Sequence, residues 1–204
     1  DVLVIGGGIA GALTTYFLAK EGANVVTVEK NIIGFGNTIA DTAALEYQLE
    51  SEMSKLEKSI GRKDATRIYK LCLDSISKIE NINKEFKAPT GFLRQDNIYF
   101  TNKFMQRGAV AKEFDKRKDS GFDAVYIDSH SLVNLNSGIV TKNASAIMNP
   151  YSFTQGLFEY LDTMDNVKIF ENTKIDDIMC MIDEVECKTH NTFKITSAKV
   201  IWAS

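Results

Sequence analysis

Four glycines near the start of the sequence lie where an apolar run, residues 1–5, gives way to a predicted helix. Gly6 allows a tight turn, Gly8 lets the backbone approach a pyrophosphate, and Gly11 lets the helix lie close to a sheet. The free N–H groups at the start of such a helix, together with its dipole, favour phosphate groups. This spacing predicts the pyrophosphate-binding turn of a βαβ unit that binds a dinucleotide.

A carboxylate follows the second apolar run. Residues 25–28 are predicted to form a strand that ends on Glu29, 23 residues after Gly6. A carboxylate in that place accepts hydrogen bonds from both hydroxyls of a ribose, so it disfavours a 2′-phosphate. Leu18 and Gly22 have the spacing of a helix that packs on a sheet and then stops. A βαβ unit without a nucleotide is the alternative, and this context favours the dinucleotide site.

Side chains that could catalyse a reaction by themselves are scarce. His130 and His190 are the only histidines, and neither lies near a cysteine, serine or carboxylate arrangement typical of a triad or a metal site. The sequence has no G-x-x-x-x-G-K-[ST] phosphate loop. The acidic pairs at 176–177 and 183–184 are interpreted as solvated turns. We therefore expect a nicotinamide or flavin cofactor to carry the reaction, with no metal site.

The composition is that of a soluble globular chain. Its 204 residues carry a net charge of -3, and 44% of them are hydrophobic. The lysines are scattered, which argues against a nucleic-acid partner. Residues 2–19 are nearly uncharged, but their glycines and the lack of a basic start argue against a signal peptide or an integral membrane segment. The three cysteines have no metal spacing and favour a reducing, cytoplasmic compartment.

Hydrophobic periodicity predicts the remaining elements. A helix is expected to begin near Thr42, and residues 45–86 are predicted to form two amphipathic helices separated at Gly61. After Pro89 the pattern changes to short strands, and it returns to a long helix after Pro150. The elements expected from there on are a hairpin of 92–94 and 97–101, a helix 103–118, strands 124–127 and 137–142, a helix 151–164, a strand 167–170, a meander of 175–181, 184–189 and 192–196, and a last strand 200–203.

Several stretches, in order along the chain, match the motifs of one flavoenzyme family. They are Val4 to Gly11 with Val28-Glu29-Lys30, the loop Gly34 to Ala44, the turn Asn149-Pro150-Tyr151, the strand Asn172 to Ile178, and Val200 to Ser204. In these the chain resembles the amino-terminal half of the FAD-dependent amine oxidoreductases of the D-amino acid oxidase type, which include glycine and sarcosine oxidases. Thr15, Asp41 and Ser204 depart from the residues usual in that family.

This resemblance implies FAD as the cofactor and an α/β fold, in which a smaller α+β substrate domain is inserted into a Rossmann-type FAD-binding domain made of a parallel sheet, helices and a β-meander. With the change of pattern, it predicts a discontinuous FAD-binding domain of residues 1–87 and 148–204, and it assigns residues 88–147 to the substrate domain. The loop from Gly34 would lie over the pyrophosphate and along the flavin ring. The residues implied to bind FAD are Gly6, Gly8, Gly11, Glu29, Lys30, Thr38, Thr42, Ala43 and Ile175.

The resemblance implies oxidation of a small amine or amino acid, such as glycine, sarcosine or a D-amino acid, by hydride transfer to the flavin. Two alternatives stay open: a dehydrogenase acting on glycerol 3-phosphate or another hydroxy substrate, and a nucleotide-binding module without activity. The first would need a cluster of arginines, whereas those of this chain are dispersed: Arg62, Arg67, Arg94, Arg107 and Arg117. In this family the later half of the chain supplies most of the residues that bind the substrate. The chain is therefore expected to be a fragment without a catalytic residue of its own, and the electron acceptor is not identified.

Overall fold

The computed structural model describes residues 1–128 and 135–203. Its helices are α1 (Ile9–Lys20), α2 (Met53–Ile60), α3 (Arg62–Glu85), α4 (Arg107–Asp119) and α5 (Pro150–Asp162). Its strands are β1 (Val2–Ile5), β2 (Val25–Val28), β3 (Ala44–Glu46), β4 (Leu93–Thr101), β5 (Ala124–Ile127), β6 (Ser137–Ile147), β7 (Val167–Phe170), β8 (Ile175–Cys180), β9 (Val185–Thr189), β10 (Lys194–Ser197) and β11 (Lys199–Trp202). Short 3₁₀ turns span Asn37–Ala40 and Phe104–Gln106.

The chain forms two compact units. Unit 1 comprises Asp1–Ala43, Asn83–Thr90 and Asn149–Ser204, and unit 2 comprises Ala44–Ile82 and Gly91–Met148. The predicted domain division differs from this one in residues 44–82, which the sequence analysis grouped with the cofactor-binding part. They belong to unit 2 because the apolar faces of α2 and α3 pack against β6, through Met53, Tyr69 and Ile76 beside Ala144 and Ala146.

Unit 1 contains a parallel sheet in the order β11-β1-β2-β7. Side chains alternate between the faces of β1, so Val2 and Val4 pack with Leu18 of α1, whereas Leu3 and Ile5 pack with Cys187 of the antiparallel sheet β10-β9-β8. The strand predicted at the end of the chain therefore lies in the same sheet as the first one. The Asn149 side chain caps α5 by accepting a hydrogen bond from the Ser152 N–H at 3.0 Å.

Unit 2 contains an antiparallel sheet in the order β3-β6-β4, with β5 also paired to β6. The predicted hairpin at residues 92–101 is wrong, since β4 is one strand whose register shifts between Gln95 and Asn97. The polar residues there form a bulge, in which Asp96 accepts a hydrogen bond from the Asn143 N–H at 2.9 Å. The strands predicted at 124–127 and 167–170 have the same bounds in the structure, and the predicted meander is present as β8, β9 and β10.

The helix expected near Thr42 is absent. The 3₁₀ turn Asn37–Ala40 comes first, and β3 then pairs with β6, with Leu45 opposite Ala146. Side chains here alternate between exposed and covered, and Tyr47 is fully buried, so the local period is that of a strand. Among the described residues, no helix is both long and apolar enough to cross a membrane.

Candidate functional site

The turn between β1 and α1 is built on glycine. Gly6 has a φ of 125°, a value that disfavours other residues, and its N–H donates to the Val28 carbonyl at 2.8 Å. A Cβ on Gly11 would lie 1.9 Å from the Gly6 carbonyl oxygen. The roles predicted for Gly6 as the tight turn and for Gly11 as the close packing position therefore agree with the geometry.

The first turn of α1 lies at a cleft. The Ile9 N–H donates to Thr38 Oγ1 at 3.1 Å, and the Ala12 N–H donates to the Gly8 carbonyl at 2.9 Å. Within residues 1–128 and 135–203, no hydrogen bond is found for the N–H of Gly8 or Ala10, and both residues line the cleft. Since helices leave their first N–H groups without internal partners, this end of α1 offers donors to an anion.

Glu29 is held rigidly by the backbone around it. Its Oε2 accepts a hydrogen bond from the Gly7 N–H at 2.7 Å, and its Oε1 accepts one from the Asn31 N–H at 2.9 Å. A Cβ on Gly7 would lie 2.8 Å from the Glu29 Cβ, so the middle one of the three consecutive glycines makes room for this side chain. Each carboxylate oxygen keeps a further acceptor position for a ligand hydroxyl.

Two cavities of unit 1 meet at Glu29. The glycine cleft has a volume of about 380 Å³, and the strand-end cavity, at the carboxyl ends of β1, β2 and β11, has one of about 190 Å³. Gly6, Glu29 and Lys30 line both. The glycine cleft is completed by Gly8, Ile9, Ala10, Asn31, Gly34, Gly36, Asn37, Thr38, Asp41 and Ala203, and the strand-end cavity by Ile5, Val28, Thr173, Lys174, Ile175 and Trp202.

The structure brings most of the predicted residues together. The glycine cleft is lined by Gly6, Gly8, Glu29, Lys30 and Thr38, and the strand-end cavity by Ile175. Gly11 packs beneath the turn and lines neither. The other two residues also line neither: Thr42 is exposed, its hydroxyl donating to Asp41 Oδ1 at 3.4 Å, and Ala43 has a φ of 65°.

Sequence reasoning missed several residues of this site. Gly7 carried a signal, because a glycine between Gly6 and Gly8 is more than the turn itself requires. Asp41 was noted only as a departure from the family, whereas it lines the glycine cleft. Trp202 carried a signal as the only tryptophan of the sequence, placed at the end of a predicted strand.

A buried charge cluster lies in unit 2, and we call it the Arg117 cluster: Arg117, Glu113, Tyr47, Tyr69 and Tyr99. Arg117 is 0% and Glu113 1% exposed, and the Arg117 Nε donates to Glu113 Oε1 at 3.0 Å. The Arg117 Nη1 donates to the Tyr47 hydroxyl at 2.8 Å. Burial acts to lower the pKa of Arg117, but Tyr47 and Glu113 outweigh it and raise that pKa. Burial also raises the pKa of Tyr99 to about 12.

Glu113 connects this cluster to the start of α2. Its two carboxylate oxygens accept hydrogen bonds from the Met53 N–H at 2.9 Å and the Ser54 N–H at 2.8 Å. The Arg117 guanidinium also lies 5.0 Å from the centroid of the Tyr99 ring. The cluster is thus saturated by protein groups and holds α2 to α4.

No metal centre is apparent in the part of the chain that the structure describes, where no three histidine, cysteine or acidic side chains gather in a ligating group. His190 is exposed, and its Nδ1 lies 2.7 Å from Asp176 Oδ2. Lys174 first, and then His190, lower the pKa of Asp176. His130 lies outside the described residues.

Comparison with known proteins gives a family match over the whole chain. A family model described as FAD dependent oxidoreductase matches residues 1–204. The chain is 26% identical over 179 residues to the putative Rieske 2Fe-2S iron-sulfur protein YhfW of Bacillus subtilis (strain 168), a match that covers 87% of this chain and 35% of that protein. It is 47% identical over 47 residues to the sarcosine oxidase subunit beta of Rhizobium meliloti (strain 1021), covering 22% of this chain and 11% of the other.

Solved structures share the fold. Glycine oxidase from Geobacillus kaustophilus superposes with a TM-score of 0.78 at 18% identity, covering 100% of this chain and 55% of that one. L-proline dehydrogenase from P. horikoshii superposes with a TM-score of 0.76 at 18% identity, covering 100% of this chain and 52% of that one. L-alpha-glycerophosphate oxidase from Mycoplasma pneumoniae, with FAD bound, superposes with a TM-score of 0.71 at 16% identity, covering 94% of this chain and 50% of that one. The chain therefore spans about half the length of these structures and about a third of the YhfW protein.

Proposed function

Because the chain belongs to the FAD dependent oxidoreductase family, whose cofactor is FAD, we propose that unit 1 holds the ADP half of FAD for an enzyme that oxidises a small amine or amino acid. The observation that carries the proposal is the meeting of the glycine cleft and the strand-end cavity at a fixed carboxylate, Glu29. When bound, FAD would supply a hydride acceptor for the substrate α-carbon, the chemistry that oxidises an amine to an imine, which water hydrolyses.

The glycine cleft suits the pyrophosphate. The N–H groups of Gly8 and Ala10 would donate to its oxygens, with the positive end of the α1 dipole behind them. Thr38 already accepts a hydrogen bond from the Ile9 N–H, so its own hydroxyl proton is available for a phosphate oxygen. A side chain at Gly8 would be tightly packed, since a Cβ would lie 3.1 Å from Thr38 Oγ1.

Glu29 suits the ribose next to the pyrophosphate. Its carboxylate is fixed by two backbone N–H groups, so it meets the ribose hydroxyls without losing side-chain freedom on binding. A 2′-phosphate would face this negative charge at close range, which selects FAD against a 2′-phosphorylated dinucleotide. Thr42 and Ala43 remain assigned to FAD by the resemblance alone. Lys30 lines both cavities and Ile175 lines the strand-end cavity, so we assign these two residues to the ADP half of FAD.

An amine or amino acid is the substrate class that the relatives favour. The segment 47% identical to a sarcosine oxidase subunit beta supports it, as do structural neighbours named for glycine and L-proline. A glycerophosphate oxidase is also a neighbour, so a phosphorylated hydroxy substrate is the second candidate. Such a substrate is favoured by a cluster of free arginines. Of the five arginines, Arg94 donates to Glu80 Oε2 and Ser77 Oγ, Arg117 is buried, Arg107 pairs with Asp128 and Arg62 donates to the Asp119 carbonyl, so at most Arg67 is free and the residues described form no such cluster.

An absorbance scan of the purified protein tests the cofactor. We expect a flavin spectrum that stays with the protein after free FAD is removed and, by calorimetry, binding of FAD but not of FMN, which lacks the AMP part of FAD. The 204-residue chain is expected to bind FAD weakly, since its two cavities account for the adenosine and pyrophosphate only. Failure of FAD to bind at millimolar concentration would reject the proposal in favour of a module without a flavin.

A substrate panel tests the reaction. The protein at the length of its relatives is reduced anaerobically with glycine, sarcosine, D-alanine, L-proline or glycerol 3-phosphate, and bleaching of the flavin absorbance is followed. We expect an amine to bleach it and glycerol 3-phosphate not to do so. For the isolated 204-residue chain we expect no bleaching with any of the five compounds. Bleaching by glycerol 3-phosphate alone would establish the second candidate.

A further inference from the structure

Trp202 ends the edge strand β11 at the carboxyl side of the parallel sheet. It lies opposite Ile5 in the register, and Ile5 lies opposite Val28, so the three form the last row across β11, β1 and β2. Ligands of open parallel sheets bind at this side. Ile5 is 7% and Val28 1% exposed, whereas Trp202 is 60% exposed.

The Trp202 ring projects on the face that the β8–β10 sheet covers. Residues two apart in a strand share a face, and Val200 packs there with Leu3 and Val185. One row further on, Trp202 lines the strand-end cavity together with Ile175 of β8. Within residues 1–128 and 135–203 no aromatic ring contacts the Trp202 ring. Trp202 is therefore a large aromatic surface that faces a cavity without a ring partner.

The order of groups along a dinucleotide assigns a ligand to that cavity. If the pyrophosphate lies in the glycine cleft and the ribose at Glu29, the base must lie beyond Glu29, away from the cleft. The strand-end cavity is the space there, since it shares Gly6, Glu29 and Lys30 with the cleft. Its floor of Ile5 and Val28 is apolar, which suits a flat heteroaromatic ring.

We propose that Trp202 forms the aromatic wall that holds the adenine base of the cofactor. The inference rests on the proposed function, to which it adds a residue that sets affinity at the adenosine end. Stacking of a base on an aromatic side chain contributes to affinity, and substitution of that side chain to alanine weakens binding about 10-fold or more. Affinity for the ADP moiety then depends on the ring of Trp202 as well as on the carboxylate of Glu29.

The test measures the affinity for ADP, which carries the adenosine and pyrophosphate but has no flavin to absorb tryptophan emission. We expect Trp202→Leu to weaken ADP binding by about 10-fold in calorimetry, and Trp202→Phe, which keeps a ring, to weaken it by no more than about threefold. Phe170→Leu is the matched control, because Phe170 also ends a strand at this edge, is 49% exposed and lines neither cavity. Its affinity should equal that of the parent protein.

Fluorescence gives a second readout. Trp202 is the only tryptophan of the sequence, so ADP should quench the emission with the same dissociation constant as in calorimetry, whereas inorganic pyrophosphate should bind without quenching. Equal ADP affinity of Trp202→Leu and the parent, or saturation by ADP without quenching, would overturn the assignment of Trp202. In that case Glu29→Ala still weakens ADP binding if the proposed function is right, and loss of effect in both variants would reject the proposed function as well.

Discussion

The glycine cleft of unit 1 and the Arg117 cluster of unit 2 both contain several hydrogen-bond donors. In the cleft some of these donors lack protein partners among the described residues, whereas in the cluster they are paired. Gly8 and Ala10 line a cleft of about 380 Å³, and within residues 1–128 and 135–203 no hydrogen bond is found for their N–H groups. In the cluster, Arg117 is fully buried and donates to Glu113, Tyr47 and Gln48. The cleft relies on backbone donors and absent side chains, and the cluster on long side chains and full pairing.

This difference indicates a ligand-binding role for the cleft and a structural role for the cluster. A buried charge that is completely paired by its own chain has nothing to offer a ligand, and removal of one partner leaves the other charge buried and uncompensated. A backbone donor at a helix start loses little by facing water and gains a partner when an anion arrives. Substitutions in the cluster should therefore change the stability of the protein, and substitutions in the cleft should change the affinity for FAD.

Glu113→Ala should give the largest effect on stability. It removes the partner of the buried Arg117 guanidinium and two hydrogen bonds to the start of α2, so we expect a loss of about 3–5 kcal/mol in the free energy of unfolding. Urea denaturation followed by circular dichroism measures it. Lys116→Ala is the control on the same helix, since the Lys116–Glu57 pair is partly exposed and worth at most about 1 kcal/mol. Equal losses in the two variants would contradict the assignment of the cluster as structural.

Gly11→Ala should give the next largest effect, and it should lower both the stability of the protein and its affinity for FAD. The new Cβ would meet the Gly6 carbonyl oxygen, so the turn or the helix has to move, at about 1–3 kcal/mol of stability, and FAD binding should weaken with it. Gly108→Ala is the matched helical control, since nothing lies within 4 Å of its added Cβ, and it should be neutral or stabilise by up to about 1 kcal/mol. Unchanged FAD affinity in Gly11→Ala would mean that the turn does not contact the cofactor.

Glu29→Ala should lower the affinity for FAD, in addition to the stability lost with the hydrogen bonds that Glu29 accepts from the Gly7 and Asn31 N–H groups. It removes a charged acceptor of the ribose hydroxyls, which we expect to cost about 1–3 kcal/mol of binding free energy in calorimetry. Glu21→Ala, at an exposed glutamate outside both cavities, is the control. If Glu29→Ala binds FAD as tightly as the parent protein, the ribose assignment is wrong.

Asp41→Asn should have the smallest effect, in the opposite direction. Asp41 places a negative charge on the lining of a cleft that would hold a pyrophosphate, so its neutralisation should strengthen FAD binding by about 0.3–1 kcal/mol. The gain should shrink as salt is raised, because Asp41 is exposed and its field is screened. Titration at two NaCl concentrations checks both statements, with Asp64→Asn as a charge-matched control outside the cavities. Weaker binding by Asp41→Asn would show that this carboxylate serves the cofactor.

The sequence predicted those parts whose pattern is local. The β1–α1–β2 segment follows from glycine spacing and apolar runs, and strands such as β7 follow from short apolar runs between turns. The helix predicted at Thr42 is absent because β3 is set by pairing with β6, a partner about a hundred residues away in the chain. The Gly7 N–H that donates to Glu29 is 22 residues away in the chain, and the cavity beside Trp202 is lined by residues from four separate stretches, which local patterns do not bring together.

The position of β1 in its sheet has a consequence for synthesis on the ribosome. β1 is made before β2 and can pair with it early, but its other neighbour, β11, follows only near residue 200. At about 5–20 residues per second, one edge of this apolar strand stays open for on the order of ten seconds or more. Every strand of unit 2 has emerged by then. The unit whose first strand comes later can therefore finish folding first, while the open edge of β1, beside the proposed nucleotide site, stays exposed to mispairing.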